Sequence, residues 1–235
     1  SSSPGIDGIP PFLYKLFSTK IAPILLHVFK NCLKSQLLTH DMRNGIIRYI
    51  LKEGADPSIP KSYRPITLTN TDSKIISLIF SGRIQKIIKL LTPTQSAYIK
   101  NTNILNNVFN ANDIILSNNK KDIGTLSFIS DFISAFDSIN HEWLFSVLTS
   151  FGIGPYFING IKTLLNNLVS FPIIGNKVAL DHKIKLKSGV RQGDPISGLL
   201  FIISIQPLLN FLESKVKNIK VLPYADDLIT FIPSI

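Results

Sequence analysis

The chain has 235 residues, of which 45% are hydrophobic and 17% charged, so it can bury a sizeable core and is not a wholly disordered protein. Its net charge of +10 is typical of a protein with a polyanionic partner, either nucleic acid or a membrane surface, and equally of a merely solvated basic surface. The single cysteine, Cys32, excludes an intrachain disulfide framework and a cysteine-based zinc site.

The charge is distributed unevenly along the chain. Residues 1–110 carry a net charge of +9, whereas residues 111–235 carry only +1. The first residues show neither the charged nor the apolar segment of a signal peptide. The most apolar run, Ile196 to Leu212, is interrupted by polar residues and falls short of the ~20 apolar residues of a spanning helix, so it predicts a buried core helix.

The first half of the chain predicts helices around one strand. A helical pattern runs from Pro10-Pro11 to about Lys34, and Pro23 is expected to divide it. The remaining elements predicted here are a strand over 45–52, a loop over 53–64, a helix over 72–91 capped by Asp72, and a helix over 103–116.

The second half predicts more strands. An apolar strand over 126–130 ends at Asp131, and a closing hairpin pairs 219–223 with 228–232. Between them we predict helices over 141–151 and 155–168, a hairpin over 170–187 that turns at Gly175-Asn176, and the long apolar helix starting at Pro195. The pattern indicates an α+β protein.

Three aspartates stand out against these strands. Asp131 ends one strand, and Asp226-Asp227 lie in the turn of the closing hairpin. Asp is common in turns and caps, so each site alone has a structural explanation. Three carboxylates that converge on one sheet edge would instead hold two hard divalent cations, which suit phosphoryl transfer.

A third feature is the loop Gly189-Val190-Arg191-Gln192-Gly193-Asp194-Pro195, which leads directly into the predicted apolar helix. Its two flanking glycines allow a backbone to approach a ligand closely, and the following helix N-terminus favours anions. It can be an ordinary loop, but beside the carboxylates it predicts a substrate-binding element.

Six segments together resemble the reverse transcriptases of non-LTR (LINE-type) retrotransposons, and more distantly those of group II introns. The matching segments are Ser3-Pro4-Gly5-Ile6-Asp7-Gly8, Tyr63-Arg64-Pro65-Ile66-Thr67-Leu68 with Lys52 upstream, Thr94-Gln95-Ser96-Ala97-Tyr98, Asp131-Phe132-Ile133-Ser134-Ala135-Phe136-Asp137, Gly189 to Pro195, and Tyr224-Ala225-Asp226-Asp227. They occur in the family's order and cover essentially the whole chain.

The resemblance implies RNA-templated DNA synthesis by two-metal nucleotidyl transfer from a deoxynucleotide to a primer 3′-hydroxyl. It implies that Asp131, Asp226 and Asp227 are the catalytic residues and bind two Mg²⁺ ions, with Mn²⁺ as a substitute. It also implies that Lys52 and Arg64 bind the incoming triphosphate. The expected partners are an RNA template, a DNA primer and deoxynucleoside triphosphates, and no membrane.

The family pattern assigns further contacts. Arg191 and Gln192 are expected to contact the incoming nucleotide, and the ring of Phe136 is expected to exclude a ribose 2′-hydroxyl. The residues expected to contact template or primer are Gly189, Gln95 and Tyr224. The resemblance also implies an intracellular protein, located in the nucleus.

The implied fold is that of a right-hand polymerase with an antiparallel palm sheet packed on helices. We expect fingers over 1–122, the first part of the palm over 123–169, a fingers/palm hairpin and nucleotide-contacting loop over 170–194, and the second part of the palm over 195–235. We expect the chain to stop before the thumb and to belong to a polyprotein with thumb and endonuclease domains. Alone, it is expected to polymerise poorly or not at all.

Several residues depart from the family's usual pattern. Ser134 stands where the family usually has Lys, Ala97-Tyr98 replaces Gly-Phe, Lys100-Asn101 replaces Gly-Arg, and Ser197-Gly198 replaces Ser-Pro. None of these changes removes an expected metal ligand, although together they are typical of a divergent lineage or a decaying copy.

Three alternatives remain open at this point. The chain could be a non-catalytic nucleic-acid-binding remnant of a reverse transcriptase. An RNA-dependent RNA polymerase would also fit the spacing of Asp131 and Asp137. A basic membrane-surface protein is disfavoured, because no strongly amphipathic basic helix with an aromatic face is present.

Overall fold

The computed structural model describes residues 3–120, 124–216 and 218–233. Its backbone contacts divide the chain into two compact units, each built from two separate segments. The first unit comprises Ser1–Ser81 and Ile153–Ser197, and the second comprises Gly82–Gly152 and Gly198–Ile235.

Helices and strands alternate irregularly along the chain. The helices are α1 (Pro11–Leu16), α2 (Ser18–Ser35), α3 (His40–Arg43), α4 (Thr71–Ile84), α5 (Ile88–Leu91), α6 (Ile104–Lys120), α7 (His141–Ser150), α8 (Pro155–Leu165) and α9 (Ser197–Lys215). The strands are β1 (Asn44–Leu51), β2 (Tyr63–Thr69), β3 (Thr125–Asp131), β4 (Val169–Ile174), β5 (Lys177–Val178), β6 (Ile184–Lys185), β7 (Lys220–Tyr224) and β8 (Asp227–Pro233).

The first unit contains a mixed sheet. Its strand order is β2-β1-β4-β5, and β6 also pairs with β4. Strands β1 and β2 are antiparallel, whereas β1 and β4 are parallel. The predicted turn at Gly175-Asn176 is confirmed, since both residues have positive φ angles, as a tight hairpin turn between β4 and β5 requires.

Strand β2 was missed by the sequence interpretation, which extended a loop to Arg64. The prolines discourage a strand assignment, but β2 is an edge strand, where Pro65 is tolerated. Two residues further on, the Thr67 N–H donates to the Gln192 carbonyl and not to β1. By the alternation of a strand, the missing N–H of Pro65 also faces away from β1, so no ladder hydrogen bond is lost.

The first helical region divides at a different residue than predicted. The break lies at Phe17, between α1 and α2, and Pro23 lies inside α2. The expectation of a break at Pro23 is therefore wrong. Pro23 is the sixth residue of α2, so it removes one i→i−4 hydrogen bond, but the helix continues through it to Ser35. The predicted helix over 72–91 is also interrupted, by a turn at residues 85–87.

The second unit contains an antiparallel sheet packed on a helix. The strand order is β3-β8-β7, with β8 in the centre. Helix α9 covers this sheet through Leu209, which is buried with Val221 and Leu228 of the sheet. The predicted α+β class, with an antiparallel sheet packed on helices, is confirmed by this arrangement.

Helix α9 begins at Ser197, two residues after the predicted start at Pro195. Among the described residues it is the one helix that is long and apolar enough to cross a membrane by length and composition. Of the apolar 18-residue stretch of this helix, 61% is buried inside the protein, which is typical of a core helix. The Trp143 Nε1–H of α7 donates to the Ser204 carbonyl of α9 at 2.9 Å and ties the two helices together.

Two helical glycines give opposite predictions for stability. A Cβ at Gly160 of α8 would overlap the fully buried Phe80 ring, which also packs on Phe157 at 5.2 Å. We expect Gly160→Ala to lower the free energy of unfolding by about 1–3 kcal/mol, because the added methyl group overpacks the core.

Gly82 of α4 has open space around its Cβ position, so Gly82→Ala should raise the free energy of unfolding by about 0.5–1 kcal/mol. Chemical denaturation of both variants tests this, and equal effects would contradict the packing seen around Gly160.

Candidate active site

The three predicted carboxylates lie at one end of the sheet β3-β8-β7. Asp131 is the last residue of β3 and Asp227 the first of β8, and the two are direct partners in the antiparallel register. Asp226 lies in the turn between β7 and β8, and its backbone carbonyl accepts a hydrogen bond from the Phe132 N–H at 3.2 Å. The fold therefore brings the three positions together from segments about 95 residues apart, by the ordinary geometry of an antiparallel sheet.

These carboxylates repel one another. Asp131 and Asp227 are exposed, and Asp226 is half-buried. The pKa of Asp227 is raised, first by partial desolvation and then by the negative charges of Asp226 and Asp131. A bound cation would relieve this repulsion and favour the ionised form of Asp227.

The donor atoms suit a hard divalent cation, since carboxylate oxygens are the ligands that Mg²⁺ prefers. In the part of the chain that the structure describes, however, no group of three or more Asp, Glu, His or Cys side chains is arranged so that it could hold a metal ion. The residues therefore fit the cation in chemistry and in backbone position, while their side chains do not form a closed set of ligands.

Gln95 contacts the backbone of the turn that carries Asp226. We expected this residue to contact template or primer, but its side chain is only 4% exposed. Its Oε1 accepts a hydrogen bond from the Ala225 N–H at 3.1 Å. The structure thus places Gln95 against the backbone of the turn. Tyr224, expected to contact the same ligands, is half-buried at the end of β7, directly opposite Asp227.

An aromatic cluster that includes Phe136 extends to within electrostatic reach of Asp226. The half-buried Phe136 ring stacks on Phe201 at 5.6 Å and meets the edge of Tyr98 at 6.2 Å. The pKa of Tyr98 is raised by burial, then by the charges of Asp226 and Tyr224, so its hydroxyl lies within electrostatic reach of the turn. Phe136 is thus held in a fixed orientation by Phe201 and by Tyr98, the ring that senses the charge of Asp226.

Two departures from the family pattern are in contact with each other. A Cβ added at Gly198 would lie 2.5 Å from the Tyr98 ring. The absence of a side chain at Gly198 therefore leaves room for this ring on the first turn of α9. The sequence alone could not show that these two substitutions are neighbours, because 100 residues separate them.

The predicted triphosphate ligands lie in the first unit, at the end of the β1–β2 pair where the loop over 52–62 connects the two strands. Arg64 pairs with Ile50, and Lys52 directly follows β1, where its N–H donates to the Ser62 carbonyl at 2.8 Å. Both side chains are exposed. Since alternate strand residues share a face, Arg48 and Arg64 lie on the same face, and Lys52 continues that alternation. Three cations therefore line one face of this hairpin.

The loop over 189–195 lies along the outer edge of β2. The Gln192 carbonyl accepts the Thr67 N–H at 2.8 Å. Gly193 has a φ of +102°, and a Cβ there would approach the Thr67 carbonyl to 3.0 Å. This close backbone approach accounts for the glycine. Gly189, expected to contact template or primer, is buried and has a φ of +78°.

Arg191, expected to contact the incoming nucleotide, is buried in the first unit. Its side chain is 4% exposed, and its Nη2 donates to the carbonyls of Arg43 and Val169. Burial lowers the pKa of Arg191 to about 10, while Asp194 opposes this shift. A guanidinium committed to two carbonyls stabilises the loop, so its placement favours a positioning role over direct nucleotide contact.

Asp194 gives the first unit a predicted pH dependence. The Ser77 hydroxyl and, at 3.2 Å, the Ile196 N–H donate to its carboxylate, but burial is the largest effect and raises its pKa above the usual 3.8. The folded state then binds the proton more tightly than the unfolded state. The contribution of Asp194 to the free energy of unfolding should therefore fall as pH rises from about 3.8 through its raised pKa and stay level above it.

We expect Asp194→Asn to make this decline shallower, because the amide keeps an acceptor oxygen for Ser77 but does not titrate; Asp72, whose pKa burial also raises, contributes the remainder. Denaturant unfolding across that pH range measures it. Asp181→Asn, at an exposed position in the same unit, is the matched control and should keep the wild-type profile. An unchanged slope in Asp194→Asn would show that another group sets the pH dependence.

Comparisons with known proteins agree with these motifs. The family described as "Reverse transcriptase (RNA-dependent DNA polymerase)" matches residues 50–235. The chain is 28% identical to the transposon TX1 uncharacterized 149 kDa protein of Xenopus laevis, covering 97% of this chain and 18% of that protein. It is 27% identical to the Pol polyprotein of the type-1 retrotransposable element R2 of Popillia japonica, covering 97% of this chain and 32% of that protein.

Solved telomerase structures share the fold. The telomerase of Candida tropicalis in complex with the TWJ fragment of telomeric RNA has a TM-score of 0.59 at 14% identity, covering 84% of this chain and 37% of that one. Its apo form truncated from the C-terminal domain has a TM-score of 0.55 at 15% identity, covering 88% and 48%. The chain thus spans less than half of these telomerase chains and a third or less of the two retrotransposon proteins. Because the family match covers most of its length, the chain belongs to the reverse transcriptase family of RNA-dependent DNA polymerases.

Proposed function

We propose that this chain carries the catalytic carboxylates of a retrotransposon reverse transcriptase, which extends a DNA primer on an RNA template. The observation that carries the proposal is the convergence of Asp131, Asp226 and Asp227 at one end of the sheet β3-β8-β7. Family membership makes this carboxylate group the candidate centre for nucleotidyl transfer.

The carboxylates would bind the divalent cations of the reaction. When bound, Mg²⁺ would lower the pKa of the primer 3′-hydroxyl and stabilise the negative charge of the departing pyrophosphate. Asp131, Asp226 and Asp227 would supply the negative charges that attract these cations and would fix the positions of the cations. The protein would contribute positioning and electrostatics, and no covalent intermediate is needed.

Other side chains would select and hold the nucleotide. Lys52 and Arg64 are exposed cations suited to a triphosphate, Arg64 as a fork and Lys52 as a point charge. The Phe136 ring, held by Phe201 and Tyr98, would lie under the sugar and exclude a ribose 2′-hydroxyl. Gln192, whose carbonyl is fixed on β2, would present its side chain to the nucleotide.

The charge of the chain supports nucleic-acid binding. The segments of the first unit carry a net charge of +9 and those of the second only +1. A basic unit suits the phosphate backbones of template and primer, whereas the carboxylate-bearing unit relies on bound cations. We further propose that the chain acts within a longer retrotransposon polyprotein in the nucleus, since relatives are Pol polyproteins of such elements.

The second candidate is a nucleic-acid-binding remnant without catalysis. The observation that favours it is the lack of a closed ligand group among the described carboxylates. Such a protein would bind RNA with a steep salt dependence, because the basic residues displace counterions from the phosphates. It would not incorporate nucleotides at any Mg²⁺ concentration.

Single-turnover primer extension separates these functions. The chain is mixed in excess with an RNA template annealed to a DNA primer, so that slow synthesis is detected, and Mg²⁺ is titrated with either dNTPs or NTPs. Mg²⁺-dependent, template-directed incorporation of dNTPs is the expected result. Salt-dependent binding without incorporation would support the remnant, and a preference for NTPs would indicate an RNA polymerase.

A further inference from the structure

A buried polar cluster in the second unit contacts the backbone on both sides of Tyr224. We call Gln95, Ser96 and Asn107 the turn brace; each is at most 8% exposed. Asn107 Nδ2–H donates to the Pro223 carbonyl at 2.8 Å, and Gln95 Oε1 accepts the Ala225 N–H at 3.1 Å. The brace thus bonds to the residues immediately before and after Tyr224, at the entrance to the carboxylate turn.

The members of the brace also fix one another. The Ser96 hydroxyl donates to Asn107 Oδ1 at 2.7 Å, which orients the Asn107 amide so that its Nδ2 faces Pro223. Gln95 Oε1 accepts the N–H groups of Ser96 and Ala97, each at 3.1 Å, besides that of Ala225. An oxygen that accepts three N–H groups cannot be exchanged with the amide nitrogen, so the orientation of Gln95 is determined by the network.

The turn itself needs such support. Ala225 has a φ of +54°, in the left-handed region that costs a residue with a Cβ of the order of 1 kcal/mol. A strained residue persists where its surroundings determine its conformation, and the N–H of Ala225 is held by Gln95. The next residue in the chain is Asp226. A change in the conformation of Ala225 would therefore redirect its carboxylate.

Burying the Gln95 amide costs free energy, and packing alone does not explain why a polar residue stands there. Its Nε2 is buried and has no hydrogen-bond partner in the structure. A methionine of the same length would fill the space without this penalty. What methionine cannot supply is the acceptor for Ala225.

We propose that the turn brace positions the carboxylates of Asp226 and Asp227 for cation binding. Gln95, Ser96 and Asn107 are positioning residues, since they act through the backbone of residues 223–225 and touch neither cation nor substrate. This replaces the expected contact of Gln95 with template or primer. The assignment of cations to the carboxylates rests on the proposed function, but the brace itself rests on the hydrogen bonds alone.

The affinity for Mn²⁺, measured by electron paramagnetic resonance of the free ion, tests the brace without requiring synthesis. Gln95→Met removes the acceptor, and Asn107→Asp turns the donor to Pro223 into an acceptor. Each is expected to raise the Kd for Mn²⁺ about ten-fold, as loss of a group that orients metal ligands does. Asn110→Asp, the same change at an exposed position of α6, is the matched control and should keep the wild-type Kd.

A second readout reports the turn directly. In Gln95→Met, the Ala225 amide loses its acceptor, so its hydrogen exchange should accelerate, whereas the amides of β3 should exchange as in the wild type. If Asn107→Asp does not fold, Ser96→Ala removes a single hydroxyl from the same network and should raise the Kd for Mn²⁺ by a smaller factor.

The outcomes separate the inference from the proposed function. If the wild type binds Mn²⁺ through Asp226 but the brace variants match Asn110→Asp, the inference is wrong. The proposed function fails if the wild type does not bind Mn²⁺, or if it binds Mn²⁺ and Asp226→Asn binds it equally well. In that case, hydrogen exchange alone tests whether the brace holds the turn. An Ala225 amide that exchanges at the wild-type rate in Gln95→Met would show that it does not.

Discussion

Asp226→Asn should lower the rate of single-turnover primer extension by about 100-fold or more. Asparagine preserves the size of the side chain and one acceptor oxygen, but it removes the negative charge that would attract a divalent cation. The backbone carbonyl of Asp226 still accepts the Phe132 N–H, so the turn should keep its conformation. The measurement is the Mg²⁺-dependent rate of dNTP incorporation on an RNA template.

The matched control is Asp113→Asn, which makes the same substitution at an exposed position of α6. It changes the net charge of the second unit equally and should extend the primer at the wild-type rate. If the two variants lose activity to the same extent, the effect belongs to the overall charge and the carboxylate turn is not the catalytic site.

Phe136→Val should weaken the selection of deoxyribonucleotides over ribonucleotides. The ring is fixed by Phe201 and Tyr98, and a smaller side chain would leave space for a 2′-hydroxyl. We expect the efficiency of NTP relative to dNTP incorporation to rise about 100-fold, which corresponds to removing a steric clash of about 2.7 kcal/mol. Competition between a dNTP and the matching NTP during primer extension measures this ratio.

Loss of the stacked ring should also lower the free energy of unfolding, by about 1–2 kcal/mol. Phe109→Val, at a ring that is 63% exposed, is the control and should leave the sugar preference unchanged. A ratio that stays at the wild-type value in Phe136→Val would contradict the role of this ring. It would then be a packing residue of the aromatic cluster.

The elements that carry the carboxylates could be predicted from sequence because their signals are local. An apolar strand that ends in Asp131, and a hairpin that turns through Asp226, are visible in a few consecutive residues. The apolar pattern and turn chemistry determine these elements, so the structure places them within one or two residues of the prediction. The break at Phe17 lacks such a signal, and Pro23 suggested a different position.

The supporting residues could not be predicted, because their partners are distant in sequence and are backbone atoms. Gln95 and Ala225 are separated by 130 residues, and Asn107 and Pro223 by 116. Asn107 carries no motif, and a polar residue in an amphipathic helix usually indicates the solvated face. Arg191 illustrates the converse. A cation in a glycine-containing loop suggests an anionic ligand, whereas here it donates to the carbonyls of Arg43 and Val169.

The most direct test of the central claim is to locate the divalent cations. Crystals of the chain with an RNA template, a DNA primer and a non-incorporable dNTP analogue, soaked in Mn²⁺, would show the ions by anomalous scattering. We predict anomalous peaks coordinated by the carboxylates of Asp131, Asp226 and Asp227, at the end of the sheet β3-β8-β7. Peaks confined to other acidic residues, or no peak at this edge with nucleic acid bound, would contradict the assignment of the catalytic site.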